Sequence, residues 1–129
     1  GYTYSGHPVG AAAALACLAE TKRLNVIKNA AARGTQIYDG CMELMKKYKV
    51  IGDVRGGYGL MTAIEMVSDR STKKPIDEGT AKTVQEVTYQ NGAMVRVSGP
   101  NLILSPPLVL SEADATTILT ALDAGFSAI

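Results

Sequence analysis

In Met94-Val95-Arg96-Val97-Ser98 a guanidinium is set among apolar residues. Strand alternation puts Met94, Arg96 and Ser98 on one face and Val95 and Val97 on the other. A charge in that setting needs a partner, because burying it unpaired is very costly. Two partners are open. The planar fork suits bidentate recognition of a ligand carboxylate, and Glu65, itself between Ile64 and Met66, offers an internal ion pair instead. The opening loop, Gly1-Tyr2-Thr3-Tyr4-Ser5-Gly6-His7-Pro8, suggests a second chemistry. Hydroxyls at Tyr2, Thr3 and Ser5, with free backbone N–H groups, precede a helix start, where anions are favoured. The plainer reading is an ordinary Ser/Thr helix cap.

His7 is the only histidine, and no Ser or Cys nucleophile arrangement points to it, so a structural hydrogen bond is preferred over a general base. Arg55-Gly56-Gly57-Tyr58-Gly59 lacks the phosphate-loop spacing and precedes a strand, which makes it a backbone turn. The lysines lie in polar runs such as Lys46-Lys47 and Lys73-Lys74, and none reads as a desolvated imine-forming amine. Cys17 and Cys41, with one histidine, supply neither a zinc cluster nor a disulfide framework.

The elements that position these residues are legible in outline. Pro8 suits the first turn of a helix, and the alanine-dominated run from Val9 to Leu18 continues it. Its small side chains predict close packing, hence a buried helix. From Asn25 to Tyr48 apolar residues recur at Ile27, Ala30/Ala31, Gly34, Ile37/Tyr38, Cys41 and Leu44/Met45, predicting a helix of about six turns able to bridge two lobes. After Val50 the pattern becomes glycine-punctuated, and Leu60–Val67 reads as a strand. A polar loop at 69–78 leads to a helix at Thr80–Gln90, stopped by Asn91-Gly92. Strands follow at Ala93–Val97 and Leu102–Leu104, then a capping box at Ser111-Glu112-Ala113-Asp114 opening a last helix. The order is helix, helix, strand, strand, helix, strand, strand, helix: an α+β lobe preceded by long helices.

With 13 basic and 12 acidic residues the formal net charge is +1, which argues against nucleic-acid partners and polybasic membrane anchoring. At 47% hydrophobic and 19% charged residues the composition is globular. No apolar run is long enough to span a bilayer, and the cysteine usage fits a reducing, cytoplasmic setting. The chain begins in a loop and ends in an unterminated apolar pattern, so it reads as a piece of a longer polypeptide.

Three blocks in this order resemble the class III pyridoxal-phosphate aminotransferases, the omega-transaminase branch most closely. They are Thr3-Tyr4-Ser5-Gly6-His7-Pro8, then Asp53-Val54-Arg55-Gly56-Gly57-Tyr58-Gly59-Leu60-Met61 with Glu65, then Val95-Arg96-Val97-Ser98-Gly99 running into Leu104-Ser105-Pro106-Pro107-Leu108. The resemblance covers essentially the whole chain. It implies an α/β, fold type I transferase. Residues 1–49 would carry the cofactor-phosphate loop, the end of the large domain and the connecting helix, and residues 50–129 the C-terminal α+β small domain. It implies that Thr3 donates to the pyridoxal 5'-phosphate of the other subunit in a homodimer, that Tyr2 lines that site, and that Arg96 binds substrate carboxylate. The family's Schiff-base lysine, its acidic partner to the pyridine nitrogen and its ring-stacking aromatic fall upstream of Gly1. No catalytic residue is therefore expected in this chain, and alone it should be inactive. The implied reaction moves an amino group between an amine or amino acid and an oxo-acid such as pyruvate. Decarboxylase or aminomutase chemistry on the same scaffold, and a non-catalytic α+β interaction module, are the alternatives.

Overall fold

The computed structural model describes residues 1–129. Helix α1 spans Pro8–Arg23, with proline at its first position. Its N-cap is His7, whose Nδ1 accepts from the Gly10 N–H at 3.3 Å. The loop hydroxyls do not cap it: Ser5 Oγ accepts from the Tyr2 N–H at 3.1 Å and closes a turn within the loop. The expected burial of α1 is not found. No residue of α1 is buried, and Val9, Leu15 and Leu18 are 70%, 69% and 66% exposed. Alanine stabilises a helix without needing a packing partner, and the core assembles around the sheet, to which α1 contributes nothing.

Helix α2 (Val26–Lys47) starts after Asn25, whose φ of 50° is a left-handed conformation that asparagine tolerates. It buries Val26, Ala30, Gly34, Ile37, Cys41 and Leu44, steps of three and four that make one stripe. Ile27 falls off that stripe and is exposed. The unpaired carbonyls at the end of the helix are satisfied by Arg70. Its Nη2 donates to the carbonyls of Met45 and Tyr48 and its Nε to that of Ile51. A guanidinium there also complements the helix dipole.

The remaining elements are β1 (Ile51–Arg55), β2 (Thr62–Asp69), β3 (Lys74–Pro75), α3 (Glu78–Gln90), β4 (Arg96–Ser98), β5 (Asn101–Leu104) and α4 (Glu112–Ser127). The sheet order is β1-β2-β5-β4, antiparallel throughout, with β3 added to β2. The element order and α+β character match the sequence reading. Three details differ. A short strand, β3, lies in the expected polar loop. Strand β2 begins at Thr62 and not Leu60, because Gly57 and Gly59, both at φ 86°, carry the preceding turn. Strand β4 begins at Arg96 and not Ala93; the Val95 carbonyl accepts from Gln85 Nε2 at 2.7 Å, outside the ladder.

One face of the sheet is apolar. Val54, Ile64, Leu102 and Val97 stand opposite one another across the four strands. A bulge at Gly52 puts both Ile51 and Val54 on this face. Helices α2, α3 and α4 cover it with Ile37, Val84, Leu122 and Phe126, all fully buried. Helix α4 opens with the reciprocal capping box expected at Ser111 and Asp114. It presses on α3 so closely that a Cβ on Gly125 would lie 2.3 Å from Thr88 Oγ1. No helix is long and apolar enough to cross a membrane.

Candidate functional site

The opposite face of the sheet is polar and uncovered by the helices. Register places Arg55, Ala63, Ile103 and Arg96 in one row across β1, β2, β5 and β4. Asp53, Glu65, Asn101 and Ser98 form the next row. With neighbouring strands about 4.8 Å apart, the backbones of Arg55 and Arg96 stand roughly 14 Å from each other.

The expected alternation around Arg96 is present: Met94, Arg96 and Ser98 are exposed, Val95 is buried and Val97 half-buried. The anticipated internal pair with Glu65 is not formed. Glu65 Oε2 accepts from Arg55 Nη1 at 2.5 Å, and the same nitrogen donates to Asp53 Oδ2 at 2.8 Å. Arg55 Nη2 donates to Asn101 Oδ1 at 2.9 Å. Hydrogen bonds to Glu65 first, then to Asp53, push the Arg55 guanidinium pKa above its ordinary value. Register explains the exchange of partners: Arg55 is two residues along from Asp53, on the same face, and directly across from the residue two before Glu65. Arg96 is two strands away.

Arg96 is left without a hydrogen bond or ion pair. The other arginines are all engaged: Arg23 with Glu20, Arg33 with Glu112 and Gln36, Arg55 with its carboxylates, and Arg70 with the end of α2. Arg96 lines a cleft of about 720 Å³ between β4 and the first turns of α4. Ile103 and Leu104 line it from the sheet, and Pro106, Leu110 and Ile118 add apolar wall. Asp114, which also lines the cleft, is committed to its capping box, with Oδ2 accepting from Ser111 Oγ at 2.6 Å. The cleft thus combines apolar walls with one uncommitted guanidinium, which is the chemistry of a small-carboxylate site.

Tyr2 and Thr3 lie in the exposed opening loop, on a different element from Arg96, and no hydrogen bond joins the two regions. The loop is folded by backbone bonds from Ser5 to the Tyr2 carbonyl and from His7 to the Tyr4 carbonyl. Thr3 spends neither its N–H nor its hydroxyl on the chain, so both remain available to an anion. That fits the phosphate end of a pyridoxal group and no more. Every lysine is exposed, and Lys46, Lys47 and Lys82 are paired with Glu43, Asp123 and Glu78. None sits in the desolvated setting that an imine-forming amine needs. No group of three or more His, Cys, Asp or Glu is placed to hold a metal ion.

The Arg55 network was not legible in the sequence. Its motif was readable only as a turn, since choosing between Arg55 and Arg96 as the partner of Glu65 requires strand order. A weak signal did exist: Arg55 and Asp53 are spaced by two in an alternating segment, which puts opposite charges on one face.

A family model described as aminotransferase class-III matches residues 1–126. Taurine–pyruvate aminotransferase of Bilophila wadsworthia is 36% identical over 134 residues, covering 98% of this chain and 29% of that protein. Ethanolamine-phosphate phospho-lyase homolog 1 of Caenorhabditis elegans is 32% identical over 124 residues, covering 94% of this chain and 26% of that protein. Among solved structures, an amine transaminase from an uncultivated Pseudomonas species in its PLP-bound form superposes with a TM-score of 0.90 at 41% identity. That match covers 99% of this chain and 29% of the other. The chain therefore spans under a third of the length of these relatives.

Proposed function

This chain belongs to the class-III aminotransferases, and from that premise we propose that it is the C-terminal part of a pyridoxal-phosphate transaminase moving an amino group from an amine or amino acid to an oxo-acid such as pyruvate. The observation that carries the reading is Arg96, the one arginine of the chain with no internal partner, lining a cleft that also has apolar walls. An oxo-acid acceptor brings a carboxylate that such a fork binds in a fixed orientation, which sets the reacting carbonyl relative to the cofactor. The pyruvate named in the relative from Bilophila and the amine transaminase fold support this choice of substrates.

When bound, pyridoxal 5'-phosphate supplies an electron sink for the carbanion formed next to nitrogen. Thr3 would hold its phosphate with the hydroxyl and N–H left free in the opening loop, and Tyr2 would flank it. The attaching lysine belongs to a segment upstream of Gly1. In this reading residues 1–49 close the large domain and connect the lobes, and residues 50–129 are the small domain. That no residue of α1 is buried supports placing that helix against further protein. The same exposure supports a homodimer that shares the cofactor site, in keeping with twofold dimers as the commonest oligomers. The setting is cytoplasmic.

The test is amino transfer by the full-length protein, with pyruvate as acceptor and a panel of amines and amino acids as donors. The reading expects alanine to form in equal amount to the oxo product. Release of carbon dioxide would assign a decarboxylase, migration of the amino group within one molecule an aminomutase, and loss of phosphate from a phosphorylated amine a phospho-lyase like the Caenorhabditis relative. No turnover of any amine would favour a non-catalytic module.

A further inference from the structure

We infer that Arg55 is a specificity-determining positioning residue: by holding the carboxylates of Asp53 and Glu65, it keeps Arg96 free to receive the carboxylate of a substrate. The inference rests on the carboxylate role proposed for Arg96 and adds what makes that role possible. The open face of the sheet carries two cations and two anions, Arg55, Arg96, Asp53 and Glu65. Their charges balance, and both anions are drawn to the end of the sheet away from Arg96. Arg55 does this with a single nitrogen, Nη1, shared between Glu65 at 2.5 Å and Asp53 at 2.8 Å.

Without Arg55 the nearest cation on this face for Glu65 is Arg96. Glu65 stands opposite Asn101, and Asn101 opposite Ser98, the position next to Arg96 on the same face of β4. The lateral gap is two strand spacings, about 10 Å, which the extended side chains of glutamate and arginine span together. Glu65 is already partly exposed, so turning it costs little burial. Captured in this way, Arg96 would meet an oxo-acid as half of an ion pair. Asp53, left without a partner, would also give this face a net negative charge that repels the incoming carboxylate.

Arg55 makes a second contribution. Its other nitrogen, Nη2, holds Asn101 Oδ1 at 2.9 Å, and Asn101 Nδ2 in turn donates to the Ser98 carbonyl at 3.2 Å. This chain of bonds runs from β1 to the turn that joins β4 to β5, where Gly99 has φ 57°. It therefore braces the strand on which Arg96 is mounted.

The experiment uses the full-length enzyme loaded with pyridoxal phosphate. The oxo-acid and amine half-reactions are measured separately, with pyruvate and a simple alkyl amine that has no carboxylate. Arg55→Gln is expected to lower kcat/KM for pyruvate about three- to tenfold relative to the amine, chiefly through KM. Adding Glu65→Gln to that variant should restore the ratio to within about twofold, although it removes another hydrogen-bonding partner. Arg55→Lys, which keeps the charge and loses the fork, should show a smaller loss in the same direction; it carries the test if Arg55→Gln does not fold. Equal losses for both substrates, or no recovery on adding Glu65→Gln, would leave Arg55 a purely structural brace and overturn the inference. Arg96→Ala is run alongside. If it discriminates against pyruvate and the Arg55 variants do not, only the present inference falls. If Arg96→Ala itself shows no discrimination, the carboxylate role fails and this inference with it.

Discussion

Gly34 of α2 and Gly59 of the turn between β1 and β2 meet backbone to backbone: a Cβ on Gly34 would stand 2.1 Å from the Gly59 carbonyl oxygen. Gly59 is at φ 86° and holds the turn that follows Arg55. The glycine in the middle of a long helix is thus explained by what crosses it. Helix α2 and the turn that follows the Arg55 strand are thereby packed in direct backbone contact.

Gly34→Ala sets two effects against each other. Alanine raises helix propensity by about 0.5–1 kcal/mol. The clash is with backbone, which cannot rotate away, and overpacking of this kind costs about 1–3 kcal/mol. The clash wins. The expected outcome is a net loss of stability for the full-length protein in urea unfolding, with altered kinetics at the face carrying Arg55. A more stable Gly34→Ala protein would show that the turn is not held where it stands here.

Cys41 and Cys17 should behave as opposites. Cys41 is fully buried in α2, and burial pushes its thiol pKa up to about 12, whereas Cys17 is exposed on α1. A thiol reagent should reach Cys41 only on unfolding, whereas Cys17 should react wherever α1 is left uncovered. Below about pH 8.5 the thiol is protonated in both folded and unfolded states, and its contribution to stability is fully present. As pH rises from there towards 12 the unfolded chain alone gives up the proton. Stability then falls by up to about 1.4 kcal/mol per pH unit. Unfolding of the protein and of Cys41→Ala at several alkaline pH values isolates this slope, which the variant should lack. Parallel curves would place Cys41 in contact with water.

Arg96→Ala in the full-length enzyme should reduce kcat/KM for oxo-acids and amino acids far more than for amines without a carboxylate. Hydrogen bonds to charged groups are worth roughly 1.5–3 kcal/mol, or about ten- to a hundredfold at 1.4 kcal/mol per decade. Arg96→Lys should recover only part of this, because it keeps the charge and loses the planar fork. A uniform loss across substrates, with a lowered Tm, would mean that Arg96 serves the fold.

The 129-residue chain by itself should form no borohydride-stable adduct with pyridoxal phosphate at a single lysine. Its lysines are exposed and unactivated, so any modification should spread over several of them at low yield. Peptide mapping after reduction reads this directly. One stoichiometric site would place the imine-forming lysine inside this chain.

Local elements were written in short-range pattern. The proline at the start of α1, the three-and-four spacing of α2, the Asn91-Gly92 stop and the Ser111–Asp114 box each depend on residues within a turn or two. A helix cap or a hydrophobic stripe needs no distant partner, so sequence alone determined these, the α+β order and, by motif, the family. It also placed Arg96 on the strand face opposite Val95 and Val97, since alternation is a property of the strand itself. Partner choice was a different matter. Whether Glu65 meets Arg55 or Arg96 depends on β5 lying between β2 and β4 and on the bulge at Gly52, both set by how the whole sheet assembles. The small side chains of α1 likewise specified a surface able to pack closely, but burial belongs to a pair of surfaces, and only the three-dimensional arrangement shows that its partner is not among the elements gathered on the sheet.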